Sequence, residues 1–208
     1  MVPMVSHNKK FIFLHTPRTA GTSIERALEQ YCDYNPIVID DLAIPKGFRK
    51  RGWTNSMDGL YMGHSSPDLL KQYLGDECWN SFYKFNIIRN PWIRVISMYA
   101  NSPQNRESFK DWLFNDQNLD HQRKLFKSQL HWIMDKQGND LVDNIYKYET
   151  LSEDWRTICD DIGIEHTPLK HHNSSAHFYY TEYYDQETID YVGHMYEQEI
   201  TRFNYTFE

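Results

Sequence analysis

Four apolar residues, Phe11, Ile12, Phe13 and Leu14, run directly into the turn His15-Thr16-Pro17-Arg18-Thr19-Ala20-Gly21, and Ile24, Ala27, Leu28 and Tyr31 then follow at i, i+3, i+4 and i+7. That order predicts a buried strand near 10–14, a tight loop, and a helix near 22–31 with one apolar face. A loop opening into a helix leaves the first backbone N–H groups without intrahelical partners. It also lies at the positive end of the helix dipole, so it is a natural seat for an anion. Here the sequence adds a cation, Arg18, and two hydroxyls, Thr22 and Ser23.

A second unit has the same order. Residues 84–88 predict a strand and 91–100 a helix, with Asn90 suited to the N-cap and Pro91 to the first helical position. Trp92, Val95, Ile96 and Tyr99 form the inward stripe, and Arg94 and Ser97 share a different face. Arg89 sits where strand becomes helix, so Arg89, Arg94 and Ser97 could reach one anion. The alternative is that Arg89 pairs with a nearby carboxylate and Ser97 is simply small.

The rest of the chain continues the alternation. Short strands are expected at 36–39 and 60–63, a helix beginning at Ser66-Pro67-Asp68, mostly helix over 106–135, a strand at 144–148, a helix at 152–162 and a final helix over 186–203. Strands alternating with helices imply an α/β fold, a parallel sheet flanked by helices on both faces. In such sheets ligands sit at the carboxyl ends of the strands, where both units place their turns. The 208 residues, 40% hydrophobic and 15% aromatic, suffice for one folded domain spanning 1–208.

A net charge of −7 argues against nucleic acid as a partner, so any anion site must be local and built from placed arginines. No apolar run approaches the length of a membrane span, and Lys9 and Lys10 precede only four apolar residues, too few for a signal peptide. A soluble, cytoplasmic protein is the simplest expectation. Cys32, Cys78 and Cys159 are widely spaced without metal-ligand spacing and are expected to be reduced thiols. The glycosylation sequons at Asn173 and Asn204 are expected to be chance matches.

Two anion sites suit a ligand with two separated phosphates. The first loop resembles a nucleotide P-loop but lacks its Gly-Lys-Thr/Ser core. No obvious acidic pair offers itself to magnesium, the ion that bridges phosphates in kinases, and no metal is expected. Metal-free transfer from a bis-phosphorylated nucleotide fits better than ATP chemistry.

These residues carry a family resemblance. The chain resembles the sulfotransferases that use 3′-phosphoadenosine 5′-phosphosulfate (PAPS), and looks closest to the branch that includes the Golgi carbohydrate enzymes. Their first loop, His-x-Pro-Lys-Thr-Ala/Gly-Gly-Thr-Ser, is matched by His15 to Ser23. Their second motif, Arg-Asn-Pro-x-x-Arg-x-x-Ser-x-Tyr, is matched completely by Arg89 to Tyr99. Tyr148-Glu149-Thr150-Leu151, the stretch 173–184 and the closing residues 203–207 also look similar. The resemblance implies a P-loop-like sulfotransferase fold and transfer of a sulfuryl group to an acceptor hydroxyl, on a carbohydrate by first expectation. It implies that Pro17, Arg18, Thr19, Ala20, Gly21, Thr22 and Ser23 hold the 5′-phosphosulfate, and that Arg89 and Ser97 hold the 3′-phosphate, with Arg94 assisting or structural.

One departure matters: the family's loop lysine is Arg18 here. Arginine keeps the charge that steadies the leaving phosphate but does not give up a proton. An active enzyme with Arg18 in that catalytic role is expected. The rivals are a non-catalytic nucleotide-binding module and a metal-dependent nucleotide kinase. His64, after the expected strand at 60–63, corresponds to a Gly-His that supplies a candidate base in the family, and is expected to take the acceptor's proton. His15 is expected to hold the loop, His177 to lie near the nucleotide, and His171-His172 not to bind metal. Phe178, Tyr179, Tyr180, Tyr183 and Tyr184 either stack on a ligand or pack under the last helix. The basic cluster Lys46 to Arg51 either meets an acidic acceptor or is a solvated charge run. Oligomeric state is left open.

Overall fold

Alternation of side chains along two neighbouring strands sets the architecture. The computed structural model describes residues 4–32, 67–102, 107–115, 126–169 and 179–208. Within them β2 (Phe11–Leu14) pairs in parallel with β3 (Tyr83–Ile88), Phe11 opposite Tyr83, and β3 pairs in parallel with β4 (Asn144–Lys147), Ile88 opposite Lys147. Phe11, Phe13, Phe85 and Ile87 point to one face and pack with Ile24, Leu28, Leu151, Trp155 and Ile158. Ile12 and Leu14 point to the other and pack with Leu70, Trp79 and Phe82. A strand period of two therefore divides one buried sheet between two cores.

Helices α1 (Gly21–Leu28) and α5 (Leu151–Asp161) cover the first face, and α2 (Pro67–Ser81) covers the second. A third core forms around α3 (Pro91–Tyr99), where Trp92, Val95, Ile96 and Met98 meet Phe109, Trp112 and Leu113 of α4 (Phe109–Phe114). Val192 of α6 (Gln186–Met195) and Tyr196 close it, and α7 (Glu197–Phe203) follows. Among the described residues no helix is long and apolar enough to cross a membrane.

The expected strands at 10–14, 84–88 and 144–148 and the helices at 22–31, 91–100 and 152–162 are present within a residue or a few. Asn90 caps α3 as predicted, its Oδ1 accepting from Trp92 N at 3.0 Å with Pro91 at the first position. Three expectations need correction. The sheet is not wholly parallel, because a short β1 (Met4–Ser6) pairs antiparallel with β2. The described part of 106–135 is only partly helical: α4 ends at Phe114, and a 3₁₀ turn spans Gln129–Trp132. After it, Asp135 Oδ1 accepts from the backbone N–H groups of Gln137 and Asn139, a side-chain turn that competes with helix. The final helix is broken at Tyr196 (φ −118°, ψ 22°), whose buried ring and hydroxyl, donating to Phe126 O at 3.0 Å, anchor the break. The expected strands at 36–39 and 60–63, Ser66, the basic cluster 46–51, His64, His171, His172, His177 and Phe178 lie outside the described residues.

Candidate anion-binding site

The turn after β2 is shaped by its own backbone. Arg18 (φ 70°) and Ala20 (φ 67°) both adopt the left-handed conformation. For residues with a Cβ that costs about 1–2 kcal/mol each, and turns of this kind curl N–H groups into an anion-binding concavity. Ala20 O then accepts from Ser23 N at 2.9 Å and Ile24 N at 3.2 Å, which starts α1. Ala20, at the N-cap, has no side chain that can cap α1, and the first turn holds no acidic residue, so its positive end is not neutralised by a side chain of that turn.

Gly21 is required by close approach. A Cβ there would lie 1.8 Å from His15 Nε2, so the buried His15 ring occupies the space a side chain would need. This agrees with a structural role for His15. Thr19 Oγ1 donates to Thr16 O at 2.8 Å, and Thr16 Oγ1 donates to Asn86 Oδ1 at 3.1 Å. The Thr19 hydroxyl is therefore engaged inside the turn and offers a ligand little beyond its backbone.

The second motif meets this turn directly. Ser97 Oγ accepts from Arg18 Nε at 3.1 Å and Arg18 Nη2 at 2.8 Å. Arg89 Nη1 donates to Arg18 O at 3.3 Å, and its guanidinium lies 4.0 Å from the centre of the Tyr148 ring. Among the described residues, buried Arg89 Nε has no hydrogen-bond partner. Arg94 is wholly buried and holds the turn from beneath, Nε donating to Pro17 O and Nη2 to Lys127 O, each at 3.1 Å. Among the three residues expected at one anion, Arg89 and Ser97 face the turn's cation and carbonyl, whereas Arg94 ties main chain to main chain. Arg89 does sense a carboxylate, Glu149, but that group is engaged elsewhere: it accepts from Asn90 N at 2.7 Å and from the Tyr205 hydroxyl at 3.2 Å.

Burial, with the positive charges of Arg89 and Arg94 behind it, lowers the pKa of Arg18 from its ordinary value. Burial lowers that of Arg89 as well, against the opposing pull of Tyr148, Glu149 and Tyr205. Weakly hydrated guanidiniums that repel one another are an arrangement an anion relieves. The Arg89 main chain is bracketed by the side-chain amide of Gln129. A glutamine inside an expected helix carries no periodic signal, and only the ends of β3 and α3 hint that a partner is needed there.

Of the aromatic group near the C-terminus, Tyr180 and Tyr184 pack against Phe207 and so belong to the third core, while Tyr179 is 70% exposed. Among the described residues no group of three His, Cys, Asp or Glu side chains is arranged to hold a metal ion.

A sequence model of the sulfotransferase family matches residues 3–206. Searches of the curated proteins and of the solved structures return no significant match. Nearly the whole chain thus fits one family model, on a mostly parallel α/β sheet that carries both motifs at its strand ends, and the chain belongs to the sulfotransferase family.

Proposed function

We propose that the protein transfers a sulfuryl group from PAPS to an acceptor hydroxyl, with a carbohydrate as acceptor. Family membership implies the PAPS donor. The observation that carries the reading is the meeting of Arg18, Arg89 and Ser97, which joins a turn and a helix through side chains a doubly phosphorylated nucleotide can use. The Nε of Arg89, unpartnered among the described residues, supports it, since a buried donor is costly to leave unmatched and a phosphate oxygen would match it.

In this reading residues 17–23 hold the 5′ side, through backbone N–H groups and the side chains of Arg18, Thr22 and Ser23. Arg89 and Ser97 hold the 3′-phosphate, and Arg94 keeps the turn in register. The acceptor oxygen attacks sulfur in line. The new O–S bond forms as the bond from sulfur to the 5′-phosphate oxygen breaks, and its electron pair leaves with adenosine 3′,5′-bisphosphate. The acceptor's proton passes to His64. Arg18 acts by charge and hydrogen bonding on the leaving phosphate, not by proton transfer.

Incubation with labelled PAPS and a panel of hydroxyl acceptors, read by mass spectrometry without added magnesium, tests the reading. Transfer to a sugar hydroxyl is expected. Tight binding of the bisphosphate with no transfer to any acceptor would leave a non-catalytic binder, and activity only with magnesium and ATP would leave a kinase. His64→Ala should lower kcat about 10²–10⁴-fold with donor binding intact.

A further inference from the structure

We propose that Gln129 is a positioning residue for Arg89, oriented by the buried carboxylate of Glu199, and that this pair sets the preference for a 3′-phosphorylated nucleotide. The inference rests on the reading that Arg89 meets the 3′-phosphate. Arg89 is the first residue beyond β3, whose last paired residue, Ile88, lies opposite Lys147. Its N–H and C=O therefore need partners that the sheet does not supply. Gln129 supplies both: its Oε1 accepts from Arg89 N at 2.8 Å and its Nε2 donates to Arg89 O at 2.7 Å. One amide thus pairs with one residue as a neighbouring strand would.

The amide can do this in one orientation only. Its Nε2 also donates to Glu199 Oε1 at 3.2 Å, and a carboxylate accepts but does not donate, so the NH₂ end is fixed. Glu199 Oε2 accepts from Gln129 N at 2.6 Å and from Ser128 Oγ at 2.9 Å. Gln129 and Glu199 are both fully buried. A buried carboxylate satisfied by neutral donors polarises them, and such a chain of hydrogen bonds is stiff because each member is costly to leave unmatched.

Stiffness matters because, among the described residues, few hydrogen bonds hold the Arg89 side chain, although Tyr148, Glu149 and Tyr205 act on its charge. Its described contacts are the Tyr148 ring and one long hydrogen bond to Arg18 O. The direction in which the guanidinium leaves the backbone therefore depends on the Arg89 main chain, whose own N–H and C=O are both held by Gln129. A glutamine fits because its amide both donates and accepts; methionine has similar volume and does neither.

The test is calorimetric titration of the full chain with adenosine 3′,5′-bisphosphate and with adenosine 5′-monophosphate. The unsubstituted protein should prefer the bisphosphate. Gln129→Met should weaken bisphosphate binding about 10- to 100-fold, the scale of a misplaced contact group, while binding of the monophosphate is unchanged. Glu199→Gln, which keeps shape and loses the charge, should give a smaller loss of the same selective kind, and it carries the test if Gln129→Met does not fold. Equal losses for both nucleotides, or retained selectivity in both variants, would overturn the inference alone. An unsubstituted protein with no preference for the bisphosphate would instead overturn the reading of the site, and the inference with it.

Discussion

The two strand–turn–helix units differ in how they are held. The second is locked by side chains: Asn90 caps α3 and also donates through Nδ2 to Thr206 O at 2.9 Å, Glu149 accepts from Asn90 N, and α3 is buried on almost every side. The first is held by backbone shape. It has no side-chain cap, two left-handed residues with a Cβ, and a histidine ring filling the space above its glycine. The comparison teaches that a turn can keep its N–H groups uncapped by holding its carbonyls instead, Thr16 O through Thr19 and Pro17 O through Arg94 from below.

If that is right, the largest effect belongs to the joint between the units. Arg94→Ala empties a fully buried position and strips hydrogen bonds from Pro17 O and Lys127 O, and should lower stability by about 3–5 kcal/mol in urea unfolding. A loss below about 1 kcal/mol would break the comparison. Next comes Gly21→Ala, where the clash with His15 should lower stability by about 1–3 kcal/mol and weaken nucleotide binding; pairing it with His15→Ala should recover part of both. The smallest effects sharpen the contrast. Asn90→Ala should lower stability by about 1 kcal/mol through the lost cap. Ala20→Gly should change it by less than about 0.5 kcal/mol, because relief of the left-handed strain offsets the added freedom of the unfolded chain. Thermal melts of the two single variants side by side decide it.

Periodic apolar residues made the main elements legible. Phe11 to Leu14 with the Ile24–Leu28 face, and Asn90-Pro91 ahead of Trp92, Val95 and Ile96, announce both units and their order. What lacked a period was missed. Met4-Val5-Ser6 is too short to alternate, and its antiparallel pairing depends on β2 being in place. The break at Tyr196 comes from a hydroxyl bonded to Phe126, 70 residues earlier. In the site, the motif residues Arg18, Arg89 and Ser97 were readable and do meet. The difference in duty between Arg94 and Arg89 was not, because it depends on which carbonyls lie beneath the turn. Gln129 and Glu199 were silent for the same reason: their partners are 40 and 70 residues away.

Those separations also bear on how the protein reaches its working form. Around Arg89 and Asn90 the contacts to Gln129, Glu149 and Thr206 close spans of 40, 59 and 116 residues. Each such closure loses chain entropy before any contact rewards it, so the surroundings of Arg89 should consolidate only once most of the chain is in place. In the proposed function, nucleotide affinity would then report completed folding, and a bound bisphosphate would stabilise the one state that presents Arg89 correctly.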